Sequence, residues 1–313
     1  MDKPDLLLLG PLNDPEMDML AESFALHRLW EADDRDAMLS RLAPKLRAVV
    51  TKGEIGADAA LMDRLPKLEI IACYGVGTDA IDLGHAKARG VRVSNTPDVL
   101  TEDVADMAWA LLLAAARRIP AGDAHVRSGA WAERPMEMTA RVWGKRLGIV
   151  GLGRIGRAVA KRAEGFGMRI AYSGRSRREG VPYDWHPDPA SLARVSDMLA
   201  VCAAGGAGTR GLVDKAAIEA LGPAGILVNV SRGTVVDEAA LLDALENGRL
   251  AAAGLDVFRD EPRIDPRFRA LGNAVLQPHN SSGTRETRMA MAELVRDNLL
   301  AHFAGRDLPT PVA

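Results

Sequence analysis

The chain has 313 residues, 48% of them apolar, and its 40 basic side chains against 42 acidic ones leave a formal net charge of −2. That length suits two domains with sizeable cores, and the balanced charge gives no reason to expect nucleic acid or an anionic membrane as partner. The apolar run Leu6–Leu9 is too short for a signal peptide, and no stretch reaches the ~18 apolar residues of a membrane span, so a reduced, cytoplasmic protein is expected.

Cys73 and Cys202 each sit in an apolar run and read as buried free thiols in strands. The six histidines are scattered without ligand spacing, so no metal is expected.

In chain order, Leu6–Leu9, Ala48–Val50, Glu69–Cys73 and Val91–Ser94 read as strands. Asp14–Phe24, Asp33–Leu42, Asp58–Leu65 and Asp82–Ala88 between them read as helices. Strand and helix in alternation imply a parallel sheet covered on both faces. Glu102–Arg118 is a long helical run without Gly or Pro, with Thr101 as a candidate cap. Its hydrophobicity suits a helix buried in a core, between domains or in a subunit interface. Ala121–Val142 reads as an exposed arm or loop, and alternation resumes at Lys145 and runs to a terminal helix, Thr284–Gly305. The fold class is therefore α/β, with two doubly wound parallel-sheet, Rossmann-like units.

Lys145–Gly156 reads KRLGIVGLGRIG, an apolar strand that ends in Gly151, Gly153 and Gly156 just as a helix begins. In a dinucleotide loop the first glycine makes the tight turn, the second admits the pyrophosphate and the third lets helix and strand pack. The phosphates then meet the free amides of a helix N-terminus. The next strand, Arg169–Ser173, should carry an acid at its end if the ribose 2′-hydroxyl is to be bound. Instead it runs into Gly174-Arg175-Ser176-Arg177-Arg178. A guanidinium suits a 2′-phosphate and a carboxylate does not. The expectation is NADP(H) over NAD(H), with Ser173, Arg175 and Ser176 around that phosphate; arginines decorating a solvated turn are the plain alternative.

Three later segments each end a predicted strand: Asn229–Leu241, Gly254–Pro262 and Leu276–Thr284. Ligands of doubly wound sheets bind beyond the strand carboxyl ends, so Arg232, Asp256, Glu261 and His279 should gather near one crevice. Arg232 suits holding a carboxylate and polarising a ketone. His279 suits donating a proton to the developing alkoxide, with Glu261 raising its pKa.

These segments, with Tyr74–Leu83, Val93–Asp106, GIVGLGRIGRAVA, AGLDVFRDEP and QPH, resemble the D-isomer-specific 2-hydroxyacid dehydrogenase family from about Val49 to the end. The resemblance implies that Arg232, Glu261 and His279 are catalytic, and that the Val76 and Gly77 amides, with Leu100 nearby, bind the substrate carboxylate. It implies that Asp256 holds the nicotinamide carboxamide. It implies cofactor contacts from Gly151, Gly153, Arg154, Ile155, Gly156, Cys202, Thr209, Val230 and Ser231 besides those of the arginine turn. It also implies that the terminal helix returns to the substrate domain, 1–98 plus 284–313, with the cofactor domain, 99–283, inserted, and that the protein is a homodimer. The basic turn and short length look most like NADPH-dependent glyoxylate/hydroxypyruvate reductases. An NAD-linked D-lactate or phosphoglycerate type and a non-enzymatic dinucleotide-sensing corepressor type are the alternatives. Two places depart from the family pattern: Cys202-Ala203-Ala204, and Asn280-Ser281-Ser282-Gly283 after the histidine. In some relatives an aromatic from the neighbouring subunit's arm closes the pocket; Trp131 could do so here or be an ordinary dimer-interface residue.

Overall fold

The computed structural model describes residues 3–312; Met1, Asp2 and Ala313, at the ends of the expected substrate domain, lie outside the described residues. The chain forms two α/β units, one ending at Leu100 and resuming at Ser282, the other continuous from Thr101 to Ser281. The divisions fall at 100/101 and 281/282, where the sequence suggested 98/99 and 283/284.

The first unit contains β1 (Asp5–Leu8), α1 (Asp14–Ser23), β2 (Ala25–Arg28), α2 (Arg35–Leu42), β3 (Ala48–Lys52), α3 (Ala59–Asp63), β4 (Ile70–Tyr74), α4 (Leu83–Ala88) and β5 (Arg92–Ser94). Its five parallel strands lie in the order β2-β1-β3-β4-β5. Leu6, Leu7, Leu8, Val49 and Ile71 are fully buried, as strands covered on both faces require. Asp34, Asp58 and Asp82 accept the amides of Ala37, Leu61 and His85, so each caps its helix and neutralises a donor that the helix leaves unpaired.

The second unit runs α5 (Thr101–Ala116), α6 (Ile119–Arg127), β6 (Arg146–Val150), α7 (Arg154–Glu164), β7 (Arg169–Ser173), β8 (Asp184–His186), α8 (Pro189–Arg194), β9 (Met198–Val201), α9 (Lys215–Leu221), β10 (Ile226–Asn229), α10 (Glu238–Glu246), β11 (Ala252–Leu255) and β12 (Ala274–Leu276). The seven strands are parallel in the order β12-β11-β10-β9-β6-β7-β8. Val150, Leu199, Val201, Leu227 and Leu242 centre its core, each such side chain stabilising the fold by roughly 1.5–3 kcal/mol on burial. α5 belongs to this core: it packs on β10, β11, β12 and α7. Trp109 stacks on Phe166 and donates to the Val159 carbonyl at 3.1 Å. The helix approaches so closely that a Cβ on Gly254 would lie 2.8 Å from Leu111.

α11 (Arg285–Phe303) returns to the first unit. Met291, Val295 and Leu299 are buried on its inner face, and it packs on α1 and β4. The tail is tied by Asn298, whose side chain exchanges hydrogen bonds with Thr310.

Several expectations need correction. Ala121–Val142 is not wholly irregular: α6 covers its first part, and a single 3-10 turn at Ala130–Ala132 follows. Pro120 and Gly122 in the first turns of α6 read as loop signals in the sequence. Thr101 is already helical instead of capping α5. β2, β8 and α8 have no counterpart in the sequence reading; β2 is half-exposed along its whole length and so lacks a strand's alternation. Cys202 lies one residue beyond β9 and is only partly buried, while burial pushes its thiol up to about 12.

Candidate active site

In the second unit the strand order reverses between β6 and β9, where a doubly wound sheet opens its ligand crevice. The glycine loop leaves β6 at that point. Gly151 has φ +93°, and a Cβ there would lie 2.6 Å from the Ala203 Cα. Gly156 approaches the Gly151 carbonyl so closely that only glycine fits. Gly153 has open space above it and caps α7 without a side-chain hydrogen bond. The first-turn amides of Arg154 and Ile155 thus face a position that can take phosphate.

The turn after β7 is held by its backbone: the Tyr172 hydroxyl accepts the Arg178 amide at 2.6 Å, and Trp185 donates to the Gly174 carbonyl at 3.2 Å. Ser173 is 2% exposed, and its carbonyl accepts from the Gly151 amide. Arg175, Ser176, Arg177 and Arg178 are exposed. None of the three guanidiniums forms an ion pair among the described residues. The Thr209 hydroxyl donates within its own loop, to Ala204 at 2.7 Å. Val230 is buried beside β9.

The catalytic candidates of this unit converge. His279 Nδ1 meets Glu261 Oε2 at 2.6 Å, and Glu261 Oε1 accepts the Phe258 amide at 2.8 Å. Burial opposes ionisation of both groups, yet their mutual hydrogen bond outweighs it: His279 is held above the ordinary imidazole range and Glu261 below the ordinary carboxylate range. His279 has φ +51°, a left-handed backbone that a residue with a Cβ adopts only when its surroundings insist. They do: the His279 amide donates to the Asp256 carbonyl at 2.7 Å. The Asp256 carboxylate, 0% exposed, accepts the Asn280 amide at 2.7 Å, the Ser281 amide at 3.0 Å and the Ser281 hydroxyl.

Arg232 ends a turn organised by Asn229, whose Oδ1 accepts from the Ser231 amide and hydroxyl while its Nδ2 donates to the Arg232 carbonyl at 3.0 Å. Sequence reading gave Asn229 no role and noted Ser281 only as a departure from the family pattern, although an Asn two residues before a turn amide is an Asx-turn signal. Gly233 locks the Arg232 turn onto the Phe258 backbone, since a Cβ there would lie 1.9 Å from the Phe258 carbonyl carbon. Gly233→Ala is expected to destabilise the protein by about 1–3 kcal/mol through overpacking and to lower kcat/KM as Arg232 shifts. Denaturant unfolding checks the first effect, and unchanged stability would contradict the contact.

In the first unit Asn95 donates to the Val76 carbonyl at 2.8 Å, the Cys73 thiol to the Gly77 carbonyl at 3.4 Å, and Thr96 Oγ1 accepts the Gly75 amide at 3.0 Å. The Val76 and Gly77 amides donate to no acceptor among the described residues, and Val76 is 37% exposed. Two adjacent unclaimed amides leave a pair of donors open to an acceptor. Leu100 is buried. No group of three or more His, Cys, Asp or Glu able to hold a metal ion occurs among the described residues, and no described helix is long and apolar enough to cross a membrane.

This fold and loop define a dinucleotide-binding protein of the two-unit Rossmann type. The sequence model for "D-isomer specific 2-hydroxyacid dehydrogenase, NAD binding domain" matches residues 109–281. A glyoxylate/hydroxypyruvate reductase A of Arabidopsis thaliana is 46% identical over 312 residues, 100% of each chain. The crystallised 2-hydroxyacid dehydrogenase of Ketogulonicigenium vulgare superposes with a TM-score of 0.93 at 50% identity, covering 100% of this chain and 99% of that one. An NADPH-dependent glyoxylate/hydroxypyruvate reductase of Sinorhizobium meliloti, solved with NADP and malonate, superposes with a TM-score of 0.92 at 41% identity, covering 100% and 97%. The chain belongs to the D-isomer-specific 2-hydroxyacid dehydrogenase family, and is an oxidoreductase with a nicotinamide cofactor.

Proposed function

We propose that the protein reduces glyoxylate and hydroxypyruvate to the 2-hydroxy acids, the D isomer where the product is chiral, and that it prefers NADPH to NADH. The observation that carries the cofactor preference is the turn after β7, where three exposed guanidiniums lack a carboxylate partner among the described residues. The similar S. meliloti enzyme, named as NADPH-dependent, supports the same reading. Ser173 is too buried to lead there, so Arg175 and Ser176 take the 2′-phosphate.

The bound nicotinamide supplies the hydride. The Val76 and Gly77 amides receive the substrate carboxylate. Arg232 polarises the ketone oxygen and stabilises charge that develops on it. His279, with Nδ1 donating to Glu261, presents Nε2, which gives its proton to the alkoxide. Glu261 stabilises the imidazolium before that transfer. Asp256 anchors the His279 loop, and a carboxamide contact would use the lone pairs its present donors leave. A homodimer belongs to the same reading, supported by the exposed Ile119, Val126, Trp131 and Met138 on α6 and the segment after it, with Trp131 68% exposed.

Arg175→Ala tests the cofactor assignment. It is expected to weaken NADPH by roughly 1–3 kcal/mol, the worth of a charge-assisted contact, and NADH much less. Equal losses for the two cofactors in fluorescence titrations would remove the 2′-phosphate from this turn.

A further inference from the structure

Two cations of the first unit lack the partners that such charges ordinarily keep. Lys52 ends β3, directly opposite Tyr74 at the end of β4, and is only partly exposed. Its ammonium makes no ion pair or hydrogen bond among the described residues. Arg288, in the first turns of α11, is likewise partly buried, and its guanidinium lies over the Tyr74 ring, 5.8 Å from the centroid, without a carboxylate partner. The Tyr74 hydroxyl fixes this arrangement by donating to the Arg288 carbonyl at 3.0 Å.

Two carboxylates, Glu16 and Glu54, act on Lys52, but neither forms an ion pair with it or with Arg288 among the described residues. Glu16, 3% exposed, is held by Asn13 Nδ2 at 2.8 Å, and its Oε2 has no hydrogen-bond partner. Glu54 is exposed. Burial, then the Arg288 charge, hold the Lys52 ammonium below its ordinary pKa against the pull of both carboxylates. Partly buried cations that no carboxylate contacts directly are costly, and keeping two of them together points to an anion that arrives from outside. The cluster stands beside the unclaimed Val76 and Gly77 amides: β3 leads into Gly53, whose amide nitrogen would lie 3.9 Å from a Cβ on Gly75.

We infer that Lys52 and Arg288 form a second anion subsite, which receives a carboxylate at the far end of a 2-keto acid whose first carboxylate occupies the Val76 and Gly77 amides. The inference rests on the reading of those amides given above and extends it to substrate class: dicarboxylic 2-keto acids are favoured over those ending in an alkyl group. Lys52 presents a point charge, whereas Arg288 can hold the second carboxylate with a planar fork. No bond is made or broken at this subsite; it selects and orients.

The test compares wild type with Lys52→Met, which keeps the apolar stem, and Lys52→Arg, which keeps the charge. The ratio of kcat/KM for oxaloacetate to that for pyruvate should exceed one in wild type and fall about tenfold in Lys52→Met, as expected for one lost charge-assisted contact. Lys52→Arg should restore most of it. Calorimetric binding of tartronate against glycolate reads the same selectivity without turnover, and should shift by a similar ratio. A wild type that prefers pyruvate, or a Lys52→Met protein with unchanged ratios in both assays, overturns the subsite. Loss of glyoxylate turnover in wild type would instead strike at the parent reading, while the tartronate to glycolate ratio still decides this one.

Discussion

His279→Ala is expected to lower kcat for the proposed glyoxylate reduction by about 10²–10⁴-fold, the range for removing a positioned proton donor, while NADPH binding should persist because the glycine loop and arginine turn are untouched. The pH profile sharpens this expectation. His279 is held above the ordinary imidazole range despite burial, through the hydrogen bond and charge of Glu261. With His279 as the proposed donor, reduction needs the protonated ring, so its rate falls as pH rises through that raised pKa. Oxidation needs the neutral ring and gains over the same interval. Glu261→Gln removes the charge that keeps the proton on His279, so the falling limb for reduction moves to lower pH. Steady-state profiles in both directions check this. A limb that stays put in Glu261→Gln would mean that another group titrates, and near-normal turnover in His279→Ala would remove the histidine from the chemistry.

The second large effect belongs to a residue outside the proton path. Asp256→Ala is expected to cost about 2–4 kcal/mol of stability, because the buried Ser281 amide and hydroxyl lose their acceptor and an unsatisfied buried donor carries its full desolvation penalty. Catalysis should fall by about 10²-fold, the cost of a displacement near 1 Å, since the left-handed His279 backbone is held there by the bonds of the Asp256 residue and the loop after it. The loss should appear in kcat more than in KM, as the first-unit amides do not depend on this loop. Denaturant unfolding and kinetics on the same preparation check both parts. A variant as stable and active as wild type would show that the loop stands without its carboxylate. The same geometry gives Ser281 a purpose that its departure from the family pattern alone did not: its hydroxyl and amide both close on Asp256.

Much of the architecture was legible because it follows from local rules. Continuous apolar runs such as Leu6–Leu8 can only be strands covered on both faces, and Gly151, Gly153 and Gly156 between strand and helix admit few alternatives. That Glu261 and His279 would meet was foreshadowed by their places after strand ends, because a parallel sheet delivers all its carboxyl ends to one edge. What failed lacked such a rule. α6 carries Pro120 and Gly122 in its first turns, which read as loop signals, and β2 stays half-exposed throughout, so it shows no alternation.

Residue order by itself therefore determined the α/β class, the dinucleotide loop and the chemical types at the strand ends, since each depends on neighbours within a few residues. Only the tertiary structure decided that Asp256 is an anchor with its donors already in place, that the Val76 and Gly77 amides are left unclaimed, and that Lys52 and Arg288 stand together without an ion pair among the described residues. Those facts depend on which partners a polar group does or does not meet after folding. Residues as distant in sequence as Lys52 and Arg288 come near one another only when α11 closes on the first sheet, a contact that no local spacing encodes.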